Sequence, residues 1–99
     1  MPQMKISAAG IPWYRREQYA RVLEVMEDAN LLSPTYDEWL ERAEQAFKRV
    51  ERQGVIAHKV EIDPETFPIW CRARGLNVNA DARIQFANHH AALIQRDKH

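Results

Sequence analysis

The chain has 99 residues, enough for one domain with a real core but with little surplus stability. Apolar residues make up 45% and charged residues 28%, the range of a globular chain, which excludes wholesale disorder. Fourteen basic and fourteen acidic side chains cancel, which removes the strongest ground for non-specific nucleic-acid or membrane-surface binding.

Met4, Ile6 and Ala8 alternate with polar or small neighbours, which allows a short edge strand in an otherwise loose start. Pro12 biases Ile11 to an extended conformation and lets a helix follow. Tyr19, Val22, Leu23 and Met26 recur at helical spacing and predict a helix from about Arg15 to Ala29. Leu31 and Leu32 are expected to plug the corner before the next helix. Thr35 followed by Glu38 is a capping-box pattern, and Tyr36, Trp39, Leu40, Ala43, Phe47 and Val50 make the apolar face behind it. Gly54 stands where that helix should stop.

Val55–Ile62 is the best strand, with Ile56, His58, Val60 and Ile62 on one face and Lys59 and Glu61 on the other. Asp63-Pro64 predicts a third helix, distorted near Pro68, carrying Phe67, Trp70 and Cys71 inward and ending at Gly75. Leu76–Val78 could form a very short strand. A last helix is expected from Asn79 or Asp81 to about Gln95, burying Ile84, Ala87, Ala91 and Ile94. A lone strand must find a partner for its backbone groups. Residues 4–8, residues 76–78 or the same strand of a second copy are the candidates. The expected fold is α+β, about four helices with a small two- or three-stranded sheet, in one domain spanning 1–99 with residues 1–10 and 96–99 loose.

Ile-Pro-Trp-Tyr-Arg-Arg at 11–16, Thr-Tyr-Asp-Glu-Trp-Leu at 35–40 and Trp-Cys-Arg-Ala-Arg-Gly at 70–75 resemble small bacterial proteins described only as uncharacterised. The resemblance covers residues 11 to about 88. It implies a bacterial, free-standing domain and carries no activity.

Two segments pair tryptophan with arginine, and they supply the candidate binding residues: Trp13, Tyr14, Arg15 and Arg16 in one, Trp70, Arg72 and Arg74 in the other. Aromatic faces beside planar cationic forks suit a carboxylate, a phosphate or a stacked base, and equally a protein interface. Arg15 and Arg16 oppose the dipole at a helix start, so exposure, an acidic partner such as Glu17 or a residue of a neighbouring helix, or an anionic ligand is expected to favour them. Arg83 is expected to pair with Asp63 or Glu65.

Catalytic signals are poor. The three glycines form no phosphate loop, and Ser7 and Ser33 sit in no nucleophile elbow. His58, His89, His90 and His99 have no metal-ligand spacing, and no cofactor is expected. The single Cys71 excludes an internal disulfide and, beside Arg72 and Arg74, is the one candidate for thiol chemistry. No apolar run near the N-terminus has the length of a signal peptide or membrane span, so a cytoplasmic location is expected. The functional expectation is a non-catalytic interaction or regulatory domain, its partner another protein or a second copy. The alternatives are a nucleic-acid-binding module built on the aromatic and arginine clusters, and a Cys71-based small-molecule enzyme or sensor.

Overall fold

The computed structural model describes residues 8–97. It contains four helices and a two-stranded parallel sheet, an α+β arrangement. Strand β1 (Ala8–Trp13) leads through a 3-10 turn at Arg16–Gln18 into α1 (Tyr19–Val25). A second turn at Ala29–Leu31 precedes α2 (Tyr36–Arg52), then come β2 (Ile56–Glu61), α3 (Phe67–Ala73) and α4 (Ala80–Arg96). Among the described residues no helix is long and apolar enough to cross a membrane.

Local chemistry sets the ends of these elements. Thr35 Oγ1 accepts from the Glu38 amide at the start of α2, and Asn79 Oδ1 accepts from the Ala82 amide at the start of α4. Gly54 after α2 and Gly75 after α3 take φ of +79° and +67°, which strains any residue with a β-carbon.

β1 and β2 run parallel, with Ala8 opposite Ile56 and Trp13 opposite Glu61. Parallel neighbours need a long crossover, and α1 and α2 supply it. On one face of the sheet Val60 packs on Ala87 and Ala91 of α4. At Gly10 the helix comes so near that a β-carbon would collide with the Ala87 backbone, so only glycine fits. On the other face Trp13 meets Trp39 and Phe47 of α2 edge-on. Beyond the end of the sheet lies the larger core, where Tyr14, Tyr19, Val22, Trp39, Ile62 and Phe67 are buried. Phe67 is wholly buried, a contribution of roughly 1.5–3 kcal/mol.

Several elements depart from the sequence reading. The first strand continues through Pro12 to Trp13, and Ala8–Gly10, expected to be loose, are its first half. Met4 and Ile6 lie outside the described residues. Pro12 is tolerated because its nitrogen faces away from β2, where no ladder bond is lost. The first helix is correspondingly shorter than expected. Residues 76–78 form no strand; Val78 instead exchanges two hydrogen bonds with Glu27, carbonyl to amide at 2.8 Å and amide to carboxylate at 2.8 Å. α3 starts at Phe67, with Pro68 in its first turn where a missing N–H costs nothing. Leu31 and Ile84, expected inside, are 72% and 52% exposed. Close approach of α4 to β1 admits the small side chains of Ala87 and Ala91 and turns Ile84 outward.

Candidate functional site

The first Trp–Arg segment is folded into the molecule. Trp13 stacks edge-to-face on Trp39 with ring centroids 5.2 Å apart. Tyr14 is 3% exposed, and its carbonyl accepts from the Tyr36 hydroxyl at 2.9 Å. Arg15 Nε reaches Glu61 Oε2 at 3.2 Å, tying the end of β1 to the end of β2. Arg16 Nη2 reaches Asp37 Oδ1 at 2.8 Å, and its guanidinium lies 4.6 Å over the Tyr36 ring. Arg15 is extended and Arg16 lies in the 3-10 turn, so neither opposes an α-helix dipole. Both pairs are largely exposed and contribute at most about 1 kcal/mol each.

The second segment forms a separate cluster. Trp70 stacks on Phe67 at 6.1 Å and meets Phe86 of α4 edge-on at 5.1 Å. The Arg74 guanidinium lies 4.2 Å over Trp70, while Arg72 is exposed. Cys71 is fully buried, and burial pushes its thiol above the usual range, with Glu27 adding to the rise and Arg74 opposing it. A buried thiol held protonated is a poor nucleophile. Among the described residues no aromatic contact joins the two clusters, so the seven candidate residues do not form one site.

One buried ion pair escaped the sequence. Arg83 of α4 grips Asp28 with Nη1 to Oδ1 at 2.7 Å and Nη2 to Oδ2 at 3.0 Å. Asp28 Oδ2 also accepts from the Ala80 amide at 3.1 Å, so the loop after α1 caps the start of α4. The expected partner Glu65 binds Arg21 instead, at 2.8 Å. The hydrogen bonds from Arg83 hold the Asp28 carboxyl below the usual range, against the opposing effect of burial.

The two edges of the sheet differ. The Ile62 amide donates to the Trp13 carbonyl at 2.9 Å, which sets the alternation: residues 9, 11 and 13 of β1 face β2, and 8, 10 and 12 face outward. On that outer edge the Gly10 amide is taken by Asn88 Oδ1 at 2.9 Å, and Pro12 has no amide hydrogen to offer. An added strand would find no donor at either position. On β2 the outward groups belong to Ala57, Lys59 and Glu61, and among the described residues no backbone hydrogen bond reaches them. Lys59 folds over Trp13, its ammonium 4.4 Å from the ring centroid, and lies 4.0 Å from Glu44.

A groove of about 330 Å³ runs along the outer edge of β1, between α2 and α4. Trp39 and Ala43 form one wall, Ala80 and Ile84 the other, and Tyr14, Arg42 and Arg83 also line it. Comparison with protein-family models, curated proteins and solved structures finds no match to this chain.

Proposed function

We propose that this chain is a small non-catalytic interaction domain whose partner is a second copy of itself, joined through the outer edge of β2. The observation that supports this reading is the contrast between the sheet edges: β1 is closed to strand addition by Pro12 and Asn88, whereas β2 presents the backbone groups of Ala57, Lys59 and Glu61. The outward groups of β2 would form the hydrogen-bonded pairs of an antiparallel ladder. Of the symmetric registers, one opposes Lys59 to Lys59 of the second copy and is repulsive. The register two residues along opposes each Lys59 to Glu61 of the other copy, twice over, and opposite charges across strands attract. The result is a four-stranded sheet with one set of helices per copy.

The aromatic and arginine clusters then have an internal role, packing the core and bracing the strand ends. Arg15 positions Glu61 at the seam.

Native mass spectrometry of the wild-type protein and three variants tests this. Lys59→Glu and Glu61→Lys each place like charges opposite one another and weaken the dimer at least about tenfold. The double variant restores opposite charges and regains it, with helical content unchanged in all three by circular dichroism. A wild-type protein that stays monomeric, or single variants that dimerise as well as wild type, would overturn the reading.

A further inference from the structure

We propose that the groove along the outer edge of β1 binds a small neutral aromatic amide. This site is separate from the β2 edge and does not rest on dimer formation.

Tyr14 supplies a donor. It is 3% exposed, and its hydroxyl has no hydrogen-bond partner among the described residues. No sealed polar side-chain atom lacks a partner among those residues, so the hydroxyl opens onto the groove that Tyr14 lines. A hydroxyl taken almost wholly out of water without a partner is costly, so an acceptor that reaches it from the groove is favoured. Burial pushes this hydroxyl up to about 12, against the lowering effect of Arg83, so it is a donor at neutral pH.

Pro12 supplies an acceptor. The alternation along β1 turns its carbonyl to the outer edge, away from β2, and among the described residues no hydrogen bond reaches it. Pro12 lines the same groove as Tyr14.

The charges around the groove cancel. Arg83 is held by Asp28 through two hydrogen bonds, and Arg42 shares its part of the surface with Glu38 and Glu41. The remaining walls, from Ile11, Leu32, Trp39, Ala43 and Ile84, are apolar. A carboxylate or an ammonium would give up water there without an unbalanced counter-charge to meet it, which selects a neutral occupant. The volume of about 330 Å³ lies at the small end of ligand sites and suits a single ring with one substituent.

An amide joins an acceptor and donors in one planar, neutral group. Its carbonyl would accept from Tyr14 and its N–H would donate to Pro12, with the ring against Trp39. A peptide strand does not fit in its place, because at Gly10 and Pro12 the edge has no amide hydrogen to offer.

The probe is benzamide, titrated at neutral pH into ¹⁵N-labelled protein to about 10 mM and followed by two-dimensional NMR. Benzoate, benzylamine and methyl benzoate are the comparators: an anion, a cation and a neutral acceptor without N–H. Benzamide is expected to shift resonances of Tyr14, the Trp39 indole, Ala43 and Ile84, saturating in the millimolar range or below. Benzoate and benzylamine should each bind at least about tenfold more weakly, and methyl benzoate at least about threefold. Tyr14→Phe removes only a hydroxyl without a partner, so it should melt like wild type while binding benzamide at least about fivefold more weakly. Absence of groove shifts with benzamide, equal binding of any of the three comparators, or undiminished binding by Tyr14→Phe would overturn the proposal. Lys59→Glu should bind benzamide as wild type does, which separates failure of this site from failure of the dimer.

Discussion

Gly10 of β1 lies against the carbonyl of Ala87 in α4, so close that even a methyl group cannot be placed between strand and helix. The contact fixes how α4 covers the sheet, because neither neighbour has a side chain able to yield. Gly10→Ala must push backbone against backbone, and the expected cost is about 3 kcal/mol or more. Denaturant unfolding of the variant checks this. A loss below about 1 kcal/mol would show that the strand and helix can separate without damage.

Asp28 and Arg83 contribute a pH-dependent share of stability. The folded-state pKa of Asp28 is depressed, so on acidification the unfolded chain binds a proton first. The stabilisation is therefore complete above the unfolded value of about 3.9 and is lost as pH falls through the folded value. Asp28→Asn should lower stability at neutral pH by about 3–5 kcal/mol, because Arg83 is left buried without its counter-charge. The same variant should lose less than wild type between neutral pH and about pH 3. Thermal unfolding across that range measures both effects.

Cys71 should be slow to react. It is wholly buried and its thiol is raised by burial, so a disulfide reagent reaches it only when the core opens. Modification of the native protein is expected to run at least about 100-fold slower than of the chain in denaturant. Equal rates would place the thiol at the surface and reopen thiol chemistry.

Arg74 and Trp70 make the sharpest test of the second cluster as packing. Replacing Arg74 by Ala removes a cation lying 4.2 Å over the ring, an exposed contact worth about 0.5–1 kcal/mol. Trp70→Ala opens the contacts with Phe67 and Phe86 and should cost about 3 kcal/mol or more. Urea titrations of the two variants compare these losses. Similar small losses from both would mean that Trp70 is not part of the core.

The elements that were legible in the sequence are those set by neighbours along the chain. Thr35 and Glu38 mark the start of α2, Asn79, one of the two starts read for the last helix, caps α4, and Gly54 and Gly75 end their helices, all through bonds or backbone angles spanning a few residues. The second strand was legible from its alternation, and its open edge follows from the partner it finds. That partner was not legible, because the choice between residues 4–8, 76–78 and another copy depends on contacts far apart in the chain. Pro12 reads locally as the end of an extended segment, and only the register shows its nitrogen turned to the outer edge. Leu31 and Ile84 fit the helical and corner patterns of buried residues, yet the tight seat of α4 on Gly10 leaves Ile84 outside. The Asp28–Arg83 pair joins positions 55 residues apart, whereas Asp63 and Glu65, the partners read for Arg83, lie much nearer in the chain. The seven aromatic and arginine candidates fall in two sequence segments, and packing keeps the two apart and buries Tyr14. The groove that Tyr14 lines combines residues of β1, α2 and α4, which no single window contains.

Residue-resolved amide hydrogen exchange at high and low protein concentration tests the proposed association most directly. Pairing through β2 predicts that the Lys59 and Glu61 amides exchange slowly in concentrated protein and quickly on dilution, while those of Val60 and Ile62, bonded within the chain, stay slow in both. Fast exchange of the Lys59 and Glu61 amides at both concentrations would contradict the pairing, for the edge would then be open to water whatever the protein's state of association.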